Sequence, residues 1–267
     1  MMRIIAIANQ KGGCGKTTTS VNLAVAFARR GYRVLIVDID PQAHATLGLG
    51  CNPEELDISI YEPLTNTQTP ISKAVRRTYI SGVSLVPSNI LLSGAEIELA
   101  ALFRRECVLR QQLAELDDIY DVCFIDCSPS LGILTLNALV ASGEVLIPVQ
   151  AHYYALEGLK QLLETINIVK ERFNRDLEIL GVLLTFVEGR TLLSRDVQRQ
   201  LRDFFGELVF NTVIHRNVRL AEAPSAGESV ITYDETSRGA IEYMQLAEEV
   251  SDGKTKKRTT QESLIDF

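Results

Sequence analysis

The sequence predicts an α/β fold with a doubly wound, mostly parallel sheet that helices cover on both faces. Three observations support this prediction: strand and helix patterns alternate along the chain, the strands are continuous apolar runs, and a glycine-rich loop joins the first strand to the first helix. Continuous apolar strands are typical of parallel sheets that are buried on both faces. Right-handed crossovers between such strands give the doubly wound arrangement.

The apolar runs predict six strands, and the periodic patterns between them predict six helices. Strands are expected at residues 3–9, 33–38, 84–87, 121–126, 144–149 and 178–185. Helices are expected at residues 17–30, 92–116, 132–141, 155–173, 194–205 and 238–250. Residues 50–82 contain three prolines and are expected to form short helices and turns over the sheet edge.

Composition limits the organisation of the chain. It has 267 residues, of which 46% are hydrophobic, and a formal net charge of −7. We expect one domain over residues 1–251 and a polar, disordered tail over 252–267. No apolar run is long enough to span a bilayer and the N-terminus is itself a core strand, so we expect a cytoplasmic protein. Because the chain is acidic, any contact with a polyanion must be local.

Residues 11–18 read Lys-Gly-Gly-Cys-Gly-Lys-Thr-Thr and predict a loop that binds a nucleoside triphosphate. The three glycines, Gly12, Gly13 and Gly15, allow positive φ angles and a close approach to an anion. Lys16 would reach the β- and γ-phosphates, and the Thr17 hydroxyl would complete a Mg²⁺ shell. A turn that only joins a strand to a helix would require neither side chain.

Two carboxylates are expected at the carboxyl edge of the sheet, where ligands bind in open α/β folds. Asp40 follows the second strand and is the candidate for orienting or deprotonating the attacking water, the alternative being that it caps the turn before Pro41. Asp126 ends an apolar run and is expected to hold Mg²⁺ opposite Thr17. A Ser-Pro pair follows, so this segment is suited to act as a γ-phosphate switch.

Lys11 makes the loop more specific. Lys-Gly-Gly-x-Gly-Lys-Thr, with a second lysine at the rim, resembles the deviant phosphate loop of the ParA and MinD class of ATPases. Residues 153–158 and 216–225 resemble chromosomal ParA proteins, also called Soj, and the resemblance extends to about residue 250. Residues 40–46 resemble switch I of these proteins, although Ala43 and His44 stand where Gly-Asn is usual. The resemblance implies ATP, Mg²⁺ and a sandwich homodimer in which Lys11 reaches the partner subunit's nucleotide.

The resemblance also implies a functional cycle and a set of site residues. The cycle is slow ATP hydrolysis in chromosome or plasmid partition, by a nucleoid-associated dimer that binds double-stranded DNA nonspecifically and is released by a ParB-like (Spo0J-like) partner. The catalytic residues would be Lys11, Lys16 and Asp40. The nucleotide-binding residues would be Lys11, Gly12, Gly13, Cys14, Gly15, Lys16, Thr17 and Thr18, with Asn217 and the backbone near His215 at the adenine. The alternative for the His215 side chain is a surface or packing role.

A cluster of arginines between residues 190 and 219 is the candidate DNA surface. Six arginines and three acids give this segment a local charge of +3. Arg195, Arg199 and Arg202 follow i, i+4, i+7 spacing and share one helix face, which suits either a phosphate track or an ordinary solvated face. The resemblance favours DNA, because arginines matching Arg190 and Arg219 are linked to DNA binding in Soj-like proteins.

Three other functions remain open. A MinD-like membrane ATPase would need an amphipathic C-terminal helix, but residues 253–267 offer only Leu264, Ile265 and Phe267. A metallocluster carrier would need paired cysteines, and the five cysteines show no paired metal spacing. A scaffold that holds ATP without hydrolysing it is disfavoured by Asp40 together with Asp126.

Overall fold

A seven-stranded sheet forms the centre of the protein. The structure is a computed structural model that describes residues 1–151, 155–188 and 192–251, without the side chains of residues 155–158 and 192–194. The strands are β1 (Arg3–Ile7), β2 (Val34–Ile39), β3 (Arg76–Arg77), β4 (Val83–Val86), β5 (Val122–Cys127), β6 (Glu144–Gln150) and β7 (Glu178–Thr185). Their order is β3-β4-β2-β5-β1-β6-β7, and every neighbouring pair is parallel except β3 with β4. The predicted sheet is therefore confirmed, with a short antiparallel edge strand that the sequence pattern did not show.

Helices connect these strands over both faces. The described α-helices are α1 (Lys16–Arg29), α2 (His44–Gly48), α3 (Tyr61–Thr65), α4 (Ala95–Leu99), α5 (Val108–Leu113), α6 (Ile133–Ala141), α7 (Ala155–Arg172), α8 (Leu192–Phe205), α9 (Val218–Glu222), α10 (Val230–Tyr233) and α11 (Arg238–Ser251). Short 3₁₀ helices lie at Pro53–Glu55, Ile71–Lys73, Ile90–Gly94, Arg105–Cys107, Ala114–Leu116, Gly206–Leu208 and Ala223–Ala226. The tail predicted over residues 252–267 lies outside the described residues.

Two hydrophobic cores lie on the two faces of the sheet. All side chains of β2 and β5 are buried. Along β2 they alternate between the cores: Leu35 and Val37 belong to one, and Val34 and Ile36 belong to the other. Because helices cover both faces, none of the side chains of β2 and β5 is exposed, which explains the unbroken apolar runs of these two strands.

The single helix predicted over residues 92–116 is wrong. The segment instead forms α4 and α5, separated by a turn in which Arg104 has a left-handed φ of 54°. A right-handed helix cannot continue through that conformation. The break lets the Asn137 side chain of α6 accept the N–H of Leu109 at 3.1 Å and donate to the carbonyl of Arg105 at 2.8 Å. Tertiary hydrogen bonds therefore override the apolar periodicity of this segment.

The carboxyl ends of β1, β5 and β2 lie side by side at the centre of the sheet. In the strand register Asp126 pairs with Ile7 on one side and with Asp38 on the other. The glycine-rich loop leaves β1 just after Ile7, and α1 begins at Lys16. The fold therefore brings the loop and the two carboxylate-bearing strand ends to one place.

Replacing Gly181 with alanine is expected to destabilise the protein by about 1–3 kcal/mol, as is typical of overpacking. Gly181 follows a register irregularity between β6 and β7. A Cβ there would lie 2.7 Å from the Phe210 ring and 2.8 Å from the Leu208 carbonyl oxygen. Gly143→Ala is the matched control, because a Cβ at Gly143 meets nothing within 4 Å. Thermal unfolding of the two variants checks this, and equal midpoints would contradict it.

Candidate nucleotide-binding and catalytic site

The glycine-rich loop is held in place by β6 and β7. The Asn9 side chain donates to the carbonyl of Pro148 at 2.7 Å and accepts the N–H of Lys11 at 3.0 Å. The Thr185 hydroxyl donates to the carbonyl of Cys14 at 2.8 Å. These contacts fix the loop at the start of α1, where backbone N–H groups without intrahelical partners favour an anion.

The loop glycines have two different roles. Gly13 and Gly15 have φ angles of 70° and 86°, so positive φ is confirmed for them. Gly12 does not adopt the positive φ that glycine allows. A Cβ would meet nothing within 4 Å at Gly12 but would lie 3.3 Å from the Phe186 ring at Gly15. Gly12 therefore leaves space beside the backbone, whereas Gly15 satisfies both a conformational and a packing requirement.

The two lysines of the loop differ in exposure. Lys16 is 6% exposed, and its Nζ donates to the Lys11 carbonyl at 3.1 Å. Lys11 is half-buried. The Cys14 thiol is buried and lies 3.2 Å from the same Lys11 carbonyl. Burial raises the pKa of the Cys14 thiol, which keeps it protonated and suits a small packed side chain.

Asp126 lies fully buried at the carboxyl end of β5. Its Oδ1 accepts a hydrogen bond from the Ser20 hydroxyl at 2.8 Å, whereas its Oδ2 has no hydrogen-bond partner among the described residues. Burial and the neighbouring Asp38 carboxylate raise the pKa of Asp126, and hydrogen bonds from Thr17 and Ser20 oppose that rise. A buried carboxylate oxygen without a donor, beside a threonine hydroxyl, fits Mg²⁺.

A cation at this position would take most of its ligands from outside the protein. Over the described residues there is no group of three or more His, Cys, Asp or Glu side chains that is arranged to hold a metal ion. Water and phosphate oxygens would complete the shell around Asp126 and Thr17, which is the usual mode for Mg²⁺ at a nucleotide.

Asp40 lies just after β2 and is 8% exposed. One of its carboxylate oxygens accepts the N–H of Gln42 at 3.0 Å, and its carbonyl accepts the N–H of Ala43 at 2.9 Å. Asp40 therefore does cap the turn that contains Pro41, as the alternative interpretation has it. Its role in hydrolysis stays a prediction.

His215 packs on Glu242 of α11. Its backbone N–H donates to Glu242 Oε2 at 2.8 Å, and its Nδ1 lies 2.6 Å from Glu242 Oε1. His215 also forms a β-bridge with Val187. The residue before Val187 is Phe186, whose ring packs near Gly15. These contacts of the side chain agree with the packing alternative.

The Asn217 side chain accepts the N–H of Arg219 at 2.8 Å and caps α9. This gives Asn217 a structural role at the start of that helix. Contacts of Asn217 and of the His215 backbone with adenine stay predictions.

The arginines of α8 have unequal environments. Val197, Leu201 and Phe205 form its buried face. Arg195 and Arg199 are exposed, and Arg199 pairs with Asp196 at 2.9 Å. Arg202 is only half-exposed and donates to the carbonyl of Phe210 at 3.3 Å. The stripe predicted from spacing is therefore exposed at its first two positions and partly structural at its third.

Arg219 stands at α9 and has two acidic neighbours, Glu222 at 2.8 Å and Asp234 at 3.2 Å. The local charge of +3 that was counted over residues 190–219 does not include these two acids, because both lie beyond that segment. About half of the Arg219 side chain is exposed. Such exposed pairs contribute little free energy, so phosphate oxygens can replace them. Arg190 lies outside the described residues.

Sequence reasoning missed three side chains at this site, which are Ser20, Asp38 and Thr46. Ser20 holds one oxygen of Asp126, and Thr46 donates to Asp38. One signal was present in the sequence: residues 38 and 40 alternate with Ile39, so their side chains start on the same face of the strand. Nothing local indicates the partners of Ser20 or Thr46.

The chain is similar to known proteins over nearly its whole length. A family model described as an AAA domain matches residues 2–179. Over 94% of this chain the identity is 50% with "Sporulation initiation inhibitor protein Soj" of Bacillus subtilis, of which 99% is covered. Over 93% of this chain the identity is 49% with "Chromosome-partitioning ATPase Soj" of Thermus thermophilus, of which 95% is covered.

A solved structure shares the same fold. It is that of cobyrinic acid a,c-diamide synthase from Mycobacterium smegmatis with bound ATP analog and magnesium, with a TM-score of 0.82 and 40% identity over 93% of each chain. Within the described part of this chain, no helix is both long and apolar enough to cross a membrane.

Proposed function

Because this chain belongs to the Soj/ParA family of chromosome-partitioning ATPases, we propose that its ATP-bound form is a dimer that binds double-stranded DNA without sequence preference. A ParB-like partner stimulates hydrolysis and releases the dimer, which otherwise stays on the nucleoid in the cytoplasm. The family makes the chain an ATPase that uses ATP and Mg²⁺. The observation that carries the proposal is a loop with two lysines, of which Lys16 is buried and Lys11 is half-buried.

Each residue of the site has a role in hydrolysis under this proposal. Lys16 binds the β- and γ-phosphates, and Lys11 reaches the partner subunit's nucleotide. Thr17 and Asp126 would hold Mg²⁺, and the ion would neutralise part of the phosphate charge. Asp40 orients the attacking water, because phosphoryl transfer depends on positioning more than on covalent catalysis.

Dimerisation links ATP binding to DNA binding through avidity. The proposed DNA-binding surface consists of the exposed arginines Arg195, Arg199 and Arg219 of an acidic chain, and Arg190 is a further candidate from the sequence. One copy of such a surface binds phosphates weakly, whereas two copies held rigidly gain from effective concentration. ATP therefore controls DNA binding by controlling dimerisation.

DNA binding in three nucleotide states tests this function directly. The purified protein is titrated onto nonspecific duplex DNA without nucleotide, with ADP and with ATP, at two salt concentrations. We expect binding that requires ATP and weakens as salt rises. Binding that is absent in all three states would contradict the proposal, and association with liposomes instead would favour the membrane-associated alternative.

Removing the charge of Arg219 is expected to weaken DNA binding on every sequence alike. Each lost phosphate contact lowers the slope of log affinity against log salt by about 1, so a dimer of Arg219→Ala loses about 2. Arg29→Ala is the matched control, since exposed Arg29 ends α1 far from the loop. Both variants should still dimerise with ATP. Equal DNA affinity of the two variants would show that DNA binds at a surface that does not include Arg219.

A further inference from the structure

A single carboxylate holds both ends of the switch I loop, residues 40–46. Asp38 Oδ1 accepts the N–H of Asp40 at 3.1 Å, at the start of the loop. Asp38 Oδ2 accepts the N–H of Thr46 at 2.9 Å and its hydroxyl at 2.7 Å, at the end of the loop. Asp38 and Thr46 are both fully buried. Because carboxylates form the stronger class of hydrogen bond, these contacts close the loop firmly.

The Thr46 hydroxyl also joins the loop to the adjacent strand. It accepts the N–H of Ser88 at 2.9 Å while it donates to Asp38. Ser88 follows β4, which is the neighbour of β2 in the sheet. The hydroxyl thus acts as a donor and an acceptor at once, which serine can reproduce and valine cannot.

The loop between these ends is constrained. Ala43 has a left-handed φ of 53°, which is unfavourable for a residue with a Cβ, and it is buried. Such a conformation persists only where the surrounding contacts determine it. The contacts that Asp38 makes at both ends of the loop meet that requirement.

The position of this closure links it to the reaction. Asp38 pairs in register with Asp126, the candidate magnesium ligand. Asp40, the candidate for orienting water, is the first residue of the closed loop. A change in the Thr46 contacts would therefore alter the position of Asp40 without removing any group that binds phosphate.

We propose that Thr46 is a positioning residue for hydrolysis: its hydroxyl latches the switch I loop onto Asp38 and Ser88 and thereby fixes Asp40. The inference rests on the catalytic role proposed above for Asp40. It assigns no direct contact between Thr46 and the nucleotide.

A pair of substitutions at Thr46 separates the hydroxyl from the shape of the side chain. Thr46→Val is expected to lower kcat by about tenfold or more and to leave the dissociation constant for ADP within about twofold, because a hydrogen bond to a charged group is lost away from the phosphates. Thr46→Ser should restore kcat to within about threefold, since it retains the hydroxyl. Equal kcat in both variants, whether high or low, would overturn the proposal.

Hydrogen exchange supplies a readout besides activity. Amides of residues 40–47 should exchange about tenfold faster in Thr46→Val than in the wild type, while the amides of α1 stay protected. Thr19→Val is the control: fully buried Thr19 loses one side-chain hydrogen bond, to Tyr243 at 3.2 Å, away from the loop. Faster exchange of residues 40–47 in the control would show a general loss of stability and overturn the assignment.

The wild-type protein provides a test even if Thr46→Val does not fold. The amides of Asp40 and Thr46 are bound to the same carboxylate, so their protection factors should agree within about threefold and rise together with Mg²⁺ and ADP. Protection factors of the two amides that differ, or that respond differently to Mg²⁺ and ADP, would overturn the proposed role of Thr46. Asp40→Ala distinguishes the proposed role of Asp40 in hydrolysis from the proposed role of Thr46. If Asp40→Ala hydrolyses ATP normally, the role of Asp40 is refuted. If only Thr46→Val hydrolyses ATP normally, the role of Thr46 alone is refuted.

Discussion

Replacing Asp40 with alanine is expected to abolish ATP hydrolysis while the ATP-bound dimer persists. Asp40 is nearly buried after β2, close in sequence to Asp38, which is paired with Asp126. Loss of a group that positions or deprotonates the attacking water typically lowers kcat by about 10²–10⁴-fold. The phosphate-binding residues Lys16 and Thr17 are untouched, so ATP should still bind. Phosphate release and sedimentation with ATP measure the two effects.

A control substitution separates this effect from the general loss of one negative charge. Asp57→Ala removes a carboxylate at an exposed position in the irregular segment before α3. It should leave hydrolysis unchanged. Asp40→Ala protein that hydrolyses ATP at the wild-type rate would refute the assigned role. So would a variant that remains monomeric with saturating ATP.

Replacing Lys16 with alanine is expected to abolish ATP binding and, with it, dimerisation. The Lys16 ammonium is buried in the loop, where its charge is poorly screened. Truncating one partner of a buried charge pair costs about 2–5 kcal/mol in binding. Calorimetric titration with ATP and Mg²⁺ measures the loss.

Lys11→Ala serves as the contrasting variant in that experiment. Lys11 is half-buried, and it contacts Lys16 through its backbone carbonyl, which the substitution leaves in place. Lys11→Ala should therefore still bind ADP as a monomer but fail to form the ATP-dependent dimer. A Lys11→Ala protein that dimerises normally with ATP would contradict the contact across the dimer.

The fold was largely predictable because its signals are local. The apolar runs of β2 and β5 and the strand-loop-helix order around Lys16 each span only a few residues. The failure at residues 92–116 has a specific cause. Its buried apolar residues keep helical spacing on both sides of Arg104, but the hydrogen bonds of Asn137 on α6 favour a break there. Helical periodicity cannot report a partner that lies on another element.

In the candidate site, too, local features were predictable from the sequence and long-range contacts were not. Lys11, Lys16 and Thr17 were read from one contiguous motif, and Asp40 and Asp126 from the ends of predicted strands. The partners of these residues were not predictable. Glu242 on α11 holds His215, and Asp234 lies beside Arg219, although no local pattern connects either pair.

By itself, the sequence determined the α/β class, the phosphate loop and the candidate carboxylates, because each depends on neighbouring residues and on the periodicity of one element. Only the tertiary structure decided that Asp38 pairs with Asp126, that Ser20 holds one oxygen of Asp126, and that Thr46 and Asp38 close the loop of residues 40–46. The physical reason is that these contacts depend on strand order and register, which many long-range packing interactions fix together.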